Sequence, residues 1–274
     1  TMTETLNHWL QHSGLPRSEA RMLLHHLCGY SHAQTITRGD EPLPSAFQAA
    51  LNQAAERRRG GEPMAYIVGV REFYGRPFQV NPAVLIPRPE TEHLLEAALA
   101  KLPPSGILWD LGTGSGIIAV SAACERPDAH IWASDISAAA LAVAQSNAQN
   151  LNATVHFGHG SWFAATPQPP HQGVDVVVSN PPYIDAADAH LQQGDLRFEP
   201  QTALTDFGNG LSALRQLAAG APGYLKPGGW LLLEHGFDQG TAVRNLLAKH
   251  GYANIATHTD LAGLDRITLG QYRL

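Results

Sequence analysis

Beyond residue 86 the chain alternates two hydrophobic rhythms. Short runs near 107–111, 130–134, 154–158, 174–179 and 230–234 read as strands, with Val176 to Val178 buried on both faces. Around them, near 90–101, 116–125, 138–150, 210–221 and 239–250, apolar residues recur at helical spacing. Strands alternating with helices predict an α/β class fold, a doubly wound, Rossmann-like sheet. Two further strands, Asn254 to Thr259 and Arg266 to Gly270, follow the last helix with a short connection between them, so they are expected to run antiparallel to each other and to complete seven.

The chain ahead of that region is patterned differently. Leu6, Trp9 and Leu10, then Leu23, Leu24 and Leu27, then Phe47, Leu51 and Ala54 keep helical spacing, with no good strand among them. Pro16 and Ser18 mark one helix start, Gly29 a stop, and Pro44-Ser45 another start. Glu72-Phe73-Tyr74 and Pro77-Phe78-Gln79-Val80, on either side of Gly75, read as a hairpin. The expected organisation is an all-α N-terminal domain over 1–70 that recognises a partner, a β-hairpin linker over 71–85, and the α/β domain over 86–274. Arg57-Arg58-Arg59 closes a helix, where cations complement the helix dipole, and is read as a solvated helix end with no site assigned.

Composition narrows the function classes. The 274 residues, 44% of them hydrophobic, are ample for a core, whereas charged residues make up only 15% and the net charge is −6. That balance lacks the electrostatic footprint of a bulk nucleic-acid binder, so no stable nucleic-acid binding is expected. Cys28 and Cys124 are far apart and each lies among apolar residues, which suggests neither a disulfide framework nor a thiolate metal site and fits a reducing compartment. His25-His26 and His156 with His159 have no carboxylate or cysteine at ligand spacing, so no metal is expected. With no basic-then-apolar leader and no apolar run long enough to span a bilayer, the protein is expected to be cytoplasmic, free of membrane, and a monomer.

Two stretches carry candidate chemistry. Asn180-Pro181-Pro182-Tyr183 directly follows the buried strand that ends at Ser179, and ligands of open α/β sheets bind outside the carboxyl ends of strands. Prolines donate no backbone N–H. The Asn180 side-chain oxygen and the Pro181 carbonyl can therefore both accept from one planar NH2 group, with Tyr183 offering a flat face to stack on it. A plain turn after a strand is the other reading. The second stretch, Ile107 to Ala119, reads as strand, glycine-rich turn and helix start. A dinucleotide fingerprint would need a third glycine at 117, where Ile117 stands; the sequence gives Gly112, Gly114 and Gly116 instead, preceded by Asp110. That spacing has no pyrophosphate to serve, and Asp110 with the loop can meet the charged end of an amino-acid-bearing cofactor. Asp135, at the end of the next strand, can bond both hydroxyls of a ribose or cap the helix that begins near Ser137. Gly114-Ser115-Gly116 does not fit the Gly-x-Ser-x-Gly elbow of a serine hydrolase.

The glycine loop resembles the first motif of class I S-adenosylmethionine-dependent methyltransferases. Further stretches resemble one family along nearly the whole chain: Gly69 to Phe73, Leu85-Ile86-Pro87-Arg88-Pro89-Glu90-Thr91-Glu92, Asp110 to Gly116, Asn180 to Ile184, Arg197-Phe198-Glu199-Pro200, and Leu231 to Gly236. On these the sequence is similar to the peptide chain release factor glutamine N5-methyltransferases. Relatives that methylate a glutamine of a ribosomal protein share the two loops but usually lack the Pro-Glu-Thr-Glu continuation found here at 89–92. The resemblance implies S-adenosylmethionine as cofactor and the glutamine of a Gly-Gly-Gln loop in a release factor as substrate. It implies cofactor contacts at Gly112, Thr113, Gly114, Ser115, Gly116, Asp135, Trp162 and Asn180, with Trp162 either covering the adenine or serving as a core aromatic. Asn180, Pro181, Pro182 and Tyr183 are the expected substrate contacts, and Asn180, Pro181 and Tyr183 the expected catalytic set. An adenine-N6 nucleic-acid methyltransferase would use a similar loop on another conjugated amine; the net charge argues against it. Arg88 and Glu90 are further candidates for orienting the substrate, Glu90 and Glu92 equally for first-turn helix acids.

Overall fold

Helices α1 (Leu6–His12), α2 (Arg17–Cys28), α3 (His32–Thr37), α4 (Ser45–Arg59) and α5 (Met64–Val68) build the first of two units in the computed structural model, which describes residues 4–273. Leu6, Trp9, Leu23, Leu24 and Leu51 form its core, and the Trp9 indole N–H donates to Asn52 Oδ1 at 2.9 Å, so the polar edge of this buried ring is satisfied. Gly29 ends α2 in the left-handed conformation, and Ser31 with Gln34 forms a reciprocal capping box at α3. The arginine run is not simply solvated. Arg57 bonds Glu62, Arg58 forms a bidentate pair with Glu19 on α2, and Arg59 donates to the Ser13 carbonyl. These guanidinium groups tie α4 to its neighbours within the unit.

The second unit begins at Arg71. A small sheet pairs β1 (Val70–Phe73) with β2 (Arg76–Gln79). Next come α6 (Glu90–Lys101), β3 (Ile107–Leu111), α7 (Ile117–Glu125), β4 (His130–Asp135), α8 (Ala138–Asn150), β5 (His156–His159) and β6 (Val174–Ser179). The chain closes with α9 (Gln201–Leu204), α10 (Ser212–Gly220), β7 (Leu225–Glu234), α11 (Gly240–Lys249), β8 (Tyr252–Thr259) and β9 (Asp265–Tyr272). Seven strands form one sheet in the order β5-β4-β3-β6-β7-β9-β8; β3 to β7 are parallel, and β9 runs antiparallel to both β7 and β8. The α/β doubly wound fold and the antiparallel closing pair are as the sequence predicted.

Differences have local causes. α3 and α5, of 6 and 5 residues, are too short for a helical period to show. β7 starts at Leu225, earlier than its apolar run, because Lys226-Pro227-Gly228-Gly229 looks like a turn in the sequence; Lys226 Nζ is held by Asp175 on β6 at 2.7–2.8 Å. The β1–β2 hairpin is fastened to helices of the second unit. Buried Asn147 on α8 accepts from the Gln79 N–H and donates to the carbonyls of Gln79 and Ser115, and Glu92 on α6 accepts from the Tyr74 N–H.

The sheet's connection order reverses between β3 and β6. β3 to β5 step outward one way, and β6 to β7 step the other, so the carboxyl ends of β3 and β6 flank the crevice where ligands of such sheets bind. In register, Asp110 of β3 lies beside Val178 of β6, and the Ser179 hydroxyl donates to the Leu111 carbonyl at 2.6 Å, pinning the two strand ends together.

Candidate active site

Two neighbouring cavities open at that edge. The first is lined by Gly112 to Ser115, Asp135, Trp162, Asn180 and Pro182, and the second by Asn180, Pro181, Tyr183, Ile184 and Glu234. Leu85, Arg88, Asn180 and Ala203 border both. Asn180 therefore stands on the wall between them.

The floor of the first cavity is the glycine loop. Gly112, Gly114 and Gly116 take φ of +74°, +56° and +84°, a region that penalises any side chain. The N–H groups of Gly112 and Thr113 both donate to the Ser134 carbonyl, at 2.9 and 3.0 Å, folding the loop over the end of β4. A Cβ on Gly112 would stand 3.3 Å from the Trp162 ring, so the missing side chain leaves the slot between loop and indole open. Gly116 does not reach the cavity; it packs against Ala144 and Val120 and starts α7. Asp135 lines the cavity wall while accepting from the N–H of Gly114 and of Ser137, each at 2.9 Å. Capping of α8 falls to the Ser137 hydroxyl, which accepts from Ala140 N–H at 3.1 Å.

Asp110 lies one layer beneath the loop, 1% exposed, and does not line the cavity. Its Oδ2 accepts from the Thr113 hydroxyl at 2.6 Å, and its Oδ1 makes no hydrogen bond of normal geometry. Burial raises its pKa to about 7, against the pull of the Thr113 hydroxyl and the Ala119 N–H. A buried carboxylate with an unsatisfied oxygen under the cavity floor suits a cationic ligand above it.

On the other side, the 180–184 loop is anchored at several points. Gln239 Nε2 donates to the Tyr183 carbonyl at 2.9 Å, Ile184 N–H donates to the Leu204 carbonyl at 2.9 Å, and the Tyr183 hydroxyl donates to Glu234 Oε1 at 3.2 Å. Asn180 Nδ2 donates to Thr91 Oγ1 at 3.3 Å. Among the described residues no donor reaches Asn180 Oδ1 or the Pro181 carbonyl, which leaves two acceptors at the second cavity. Burial, reinforced by the Glu234 charge, raises the Tyr183 pKa, so its phenol stays protonated.

Three residues given no role by the sequence belong to this frame. Glu234, 2% exposed at the carboxyl end of β7, takes the hydroxyl protons of Thr91 and Tyr183. Glu199, also buried, accepts from the Ile86 N–H at 2.9 Å and pairs with Arg88, joining the 85–88 stretch to the 197–200 stretch beside both cavities. Thr91 is fully buried in the first turn of α6. Arg88 thus sits in an ion pair at the cavity wall, and Glu92 bonds the hairpin. Glu234, Glu199 and Thr91 all lie in stretches that carry the family resemblance, and Glu234 is also the acid that ends an apolar strand, as Asp135 is.

Gly210 backs the loop. It has φ +74°, and a Cβ there would stand 2.1 Å from the Tyr183 carbonyl oxygen. Gly210→Ala is expected to lose about 1–3 kcal/mol of stability from backbone strain and overpacking and, by moving the loop, to lower turnover about tenfold or more; urea denaturation and single-turnover rates read the two effects.

Burial raises both Asp110, from 3.8 to about 7, and Glu234, from 4.5 to about 7. Each binds its proton more tightly folded than unfolded. Their contribution to stability is full below about pH 4 and disappears as pH rises toward 7, a change of order a few kcal/mol. Thermal melts from about pH 5 to 8 should show Asp110→Asn and Glu234→Gln gaining on wild type as pH rises; a constant offset would contradict the assignment.

Comparison with known proteins gives independent findings. The family model described as PrmC N-terminal domain matches residues 5–69, and the Methyltransferase small domain model matches residues 90–198. The release factor glutamine methyltransferase of Neisseria gonorrhoeae is 59% identical over 268 residues, covering 98% of each chain. That of Bordetella pertussis is 52% identical, covering 94% of this chain and 95% of its own. Among solved structures, a methyltransferase from Pyrococcus furiosus superposes with a TM-score of 0.57 at 15% identity, over 81% of this chain and 99% of that one, a likeness of fold.

Proposed function

The chain belongs to the release factor glutamine methyltransferase family, and from that premise we propose that its two adjoining cavities hold a methyl donor and a substrate glutamine, with Asn180 between them. The reaction is transfer of a methyl group from S-adenosylmethionine to the side-chain amide nitrogen, N5, of the glutamine in the Gly-Gly-Gln loop of a release factor. The observation that carries the assignment is the position of Asn180 on both cavity walls, with its Oδ1 and the Pro181 carbonyl unclaimed by any described donor.

The first cavity fits the cofactor on features of its own: the open slot at Gly112, a wall carboxylate on Asp135 placed for ribose hydroxyls, and the unsatisfied Asp110 oxygen beneath the floor. Gly112 to Ser115, Asp135 and Trp162 would hold it, and Gly116 and Asp110 act from below by shaping the loop and supplying negative charge. When bound, S-adenosylmethionine supplies an electrophilic methyl group on a sulfonium.

The protein's task follows from what a glutamine amide lacks. Its nitrogen lone pair is delocalised into the carbonyl, and no ordinary side-chain base makes it a good nucleophile. Asn180 Oδ1 and the Pro181 carbonyl accept the two NH2 hydrogens, fixing the nitrogen and directing its lone pair toward the first cavity. Positive charge develops on that nitrogen during transfer, so the acceptors hold the transition state more strongly than the neutral amide. Tyr183, on the wall of the second cavity, confines the amide plane, and Pro182 faces the first cavity. The N-methylated, transiently protonated amide is very acidic and releases its proton to solvent, so no strong general base is required.

In the same reading residues 1–70 recognise the release factor, 71–85 form the hairpin linker and 86–274 carry the catalysis. The protein works in the cytoplasm as a monomer without stable nucleic-acid binding; among the described residues no helix is long and apolar enough to cross a membrane. Incubating the full chain separately with a release factor, a ribosomal protein and duplex DNA, each with methyl-labelled S-adenosylmethionine, tests the substrate. Label in the release factor alone is expected; label in adenine or only in the ribosomal protein would overturn the reading.

A further inference from the structure

The Asn180 side chain has two nearly isosteric orientations, and only one presents its oxygen to a substrate amide. The reverse would set NH2 against NH2. What selects between them is found on α6 and β7, outside the loop. Glu234 Oε2 lies 2.8 Å from Thr91 Oγ1, and Thr91 Oγ1 lies 3.3 Å from Asn180 Nδ2. The other Glu234 oxygen takes the Tyr183 hydroxyl at 3.2 Å.

With Glu234 ionised, the proton directions along this chain are forced. An ionised carboxylate only accepts, and a threonine hydroxyl has one proton to give. Thr91 gives its proton to Glu234 and so can only accept from its other neighbour. Asn180 must then face Thr91 with its NH2 group, which turns Oδ1 away from Thr91 as the oxygen left without a described donor. A flipped amide would bring two acceptors face to face at the buried Thr91 hydroxyl, leaving neither with a donor there. We propose that Glu234 and Thr91 are positioning residues that set the direction of the Asn180 amide, with Glu234 acting through the Thr91 hydroxyl. Through the Tyr183 hydroxyl the same carboxylate also fixes the far end of the loop, so one buried group holds both ends of the Asn180–Tyr183 segment. The proposal rests on the reading of Asn180 as the acceptor for the substrate amide.

The test is a set of full-chain variants assayed by single-turnover methylation of a release factor, with S-adenosylmethionine affinity measured by calorimetry. Thr91→Val keeps the volume but removes the hydroxyl, and Thr91→Ser keeps the hydroxyl. We expect Thr91→Val and Glu234→Gln each to lower the turnover rate about tenfold or more while changing cofactor affinity less than about threefold, and Thr91→Ser to stay within about threefold of wild type. Placed on Asn180→Ala, Thr91→Val should slow the reaction no further, because nothing remains to orient. A purely structural role predicts additive losses and no rescue by serine, and either result overturns the proposal. If Asn180→Ala is crippled while Thr91→Val and Glu234→Gln turn over normally, the relay is wrong and the acceptor reading stands; if Asn180→Ala is fully active, both fall.

Discussion

Asn180→Asp is expected to turn over about a hundredfold more slowly than wild type, or worse, while binding S-adenosylmethionine as tightly or more tightly. The substitution conserves shape and leaves an oxygen at the second cavity. It also removes the NH2 group that Thr91 Oγ1 accepts, and sets a carboxylate oxygen against a hydroxyl oxygen whose proton is committed to Glu234. Two carboxylates then share one threonine proton, so the new group either rotates away or is protonated. Rotation, the outcome while the group stays charged, loses the pair of acceptors that holds the substrate NH2, although the added negative charge beside the first cavity favours a sulfonium. Calorimetry reads the cofactor affinity and single-turnover rates read the chemistry. Wild-type turnover would contradict the idea that holding the amide replaces deprotonating it.

Asp135→Ala should act on the other side of the wall, weakening cofactor affinity about a hundredfold and leaving the rate at saturating cofactor within about tenfold. The carboxylate orders Gly114 and Ser137 through their N–H groups and keeps its place on the cavity wall, where a ribose would meet it. Charge-assisted hydrogen bonds are worth about 1.5–3 kcal/mol each, and losing the loop's anchor adds to that loss. Burial raises the Asp135 pKa while the Ser137, Gly114 and Ile136 N–H groups oppose the shift. Asp135→Asn, which keeps an acceptor but drops the charge, should fall between the two. An affinity within about twofold of wild type in Asp135→Ala would remove this residue from the cofactor site.

The residues readable from sequence were those that end strands or shape turns. Asp110, the Gly112–Gly116 loop, Asp135 and Asn180 follow apolar runs, and a sheet brings strand ends together whatever the intervening chain does. Depth was not readable. Asp110 and Asp135 look alike in the sequence, yet one is buried under the floor and the other lines the wall, because burial is decided by what packs above each. Partnerships across long separations were hidden too. Thr91 and Glu234 are 143 positions apart, and Arg88 and Glu199 are 111 apart. No local periodicity links such pairs; the fold makes them by returning α6 to the end of β7 and the 197–200 stretch to the 85–88 stretch.

In this reading the wall between the cavities holds a glutamine amide for methylation at nitrogen. Tandem mass spectrometry of a release factor treated with the full chain and methyl-labelled S-adenosylmethionine tests it most directly, because fragment ions place the label on one residue and one atom group. A single label is expected on the side-chain amide of the Gly-Gly-Gln glutamine, reduced in step with turnover in Asn180→Asp. A label on any other residue, or one that persists undiminished in that variant, would contradict it.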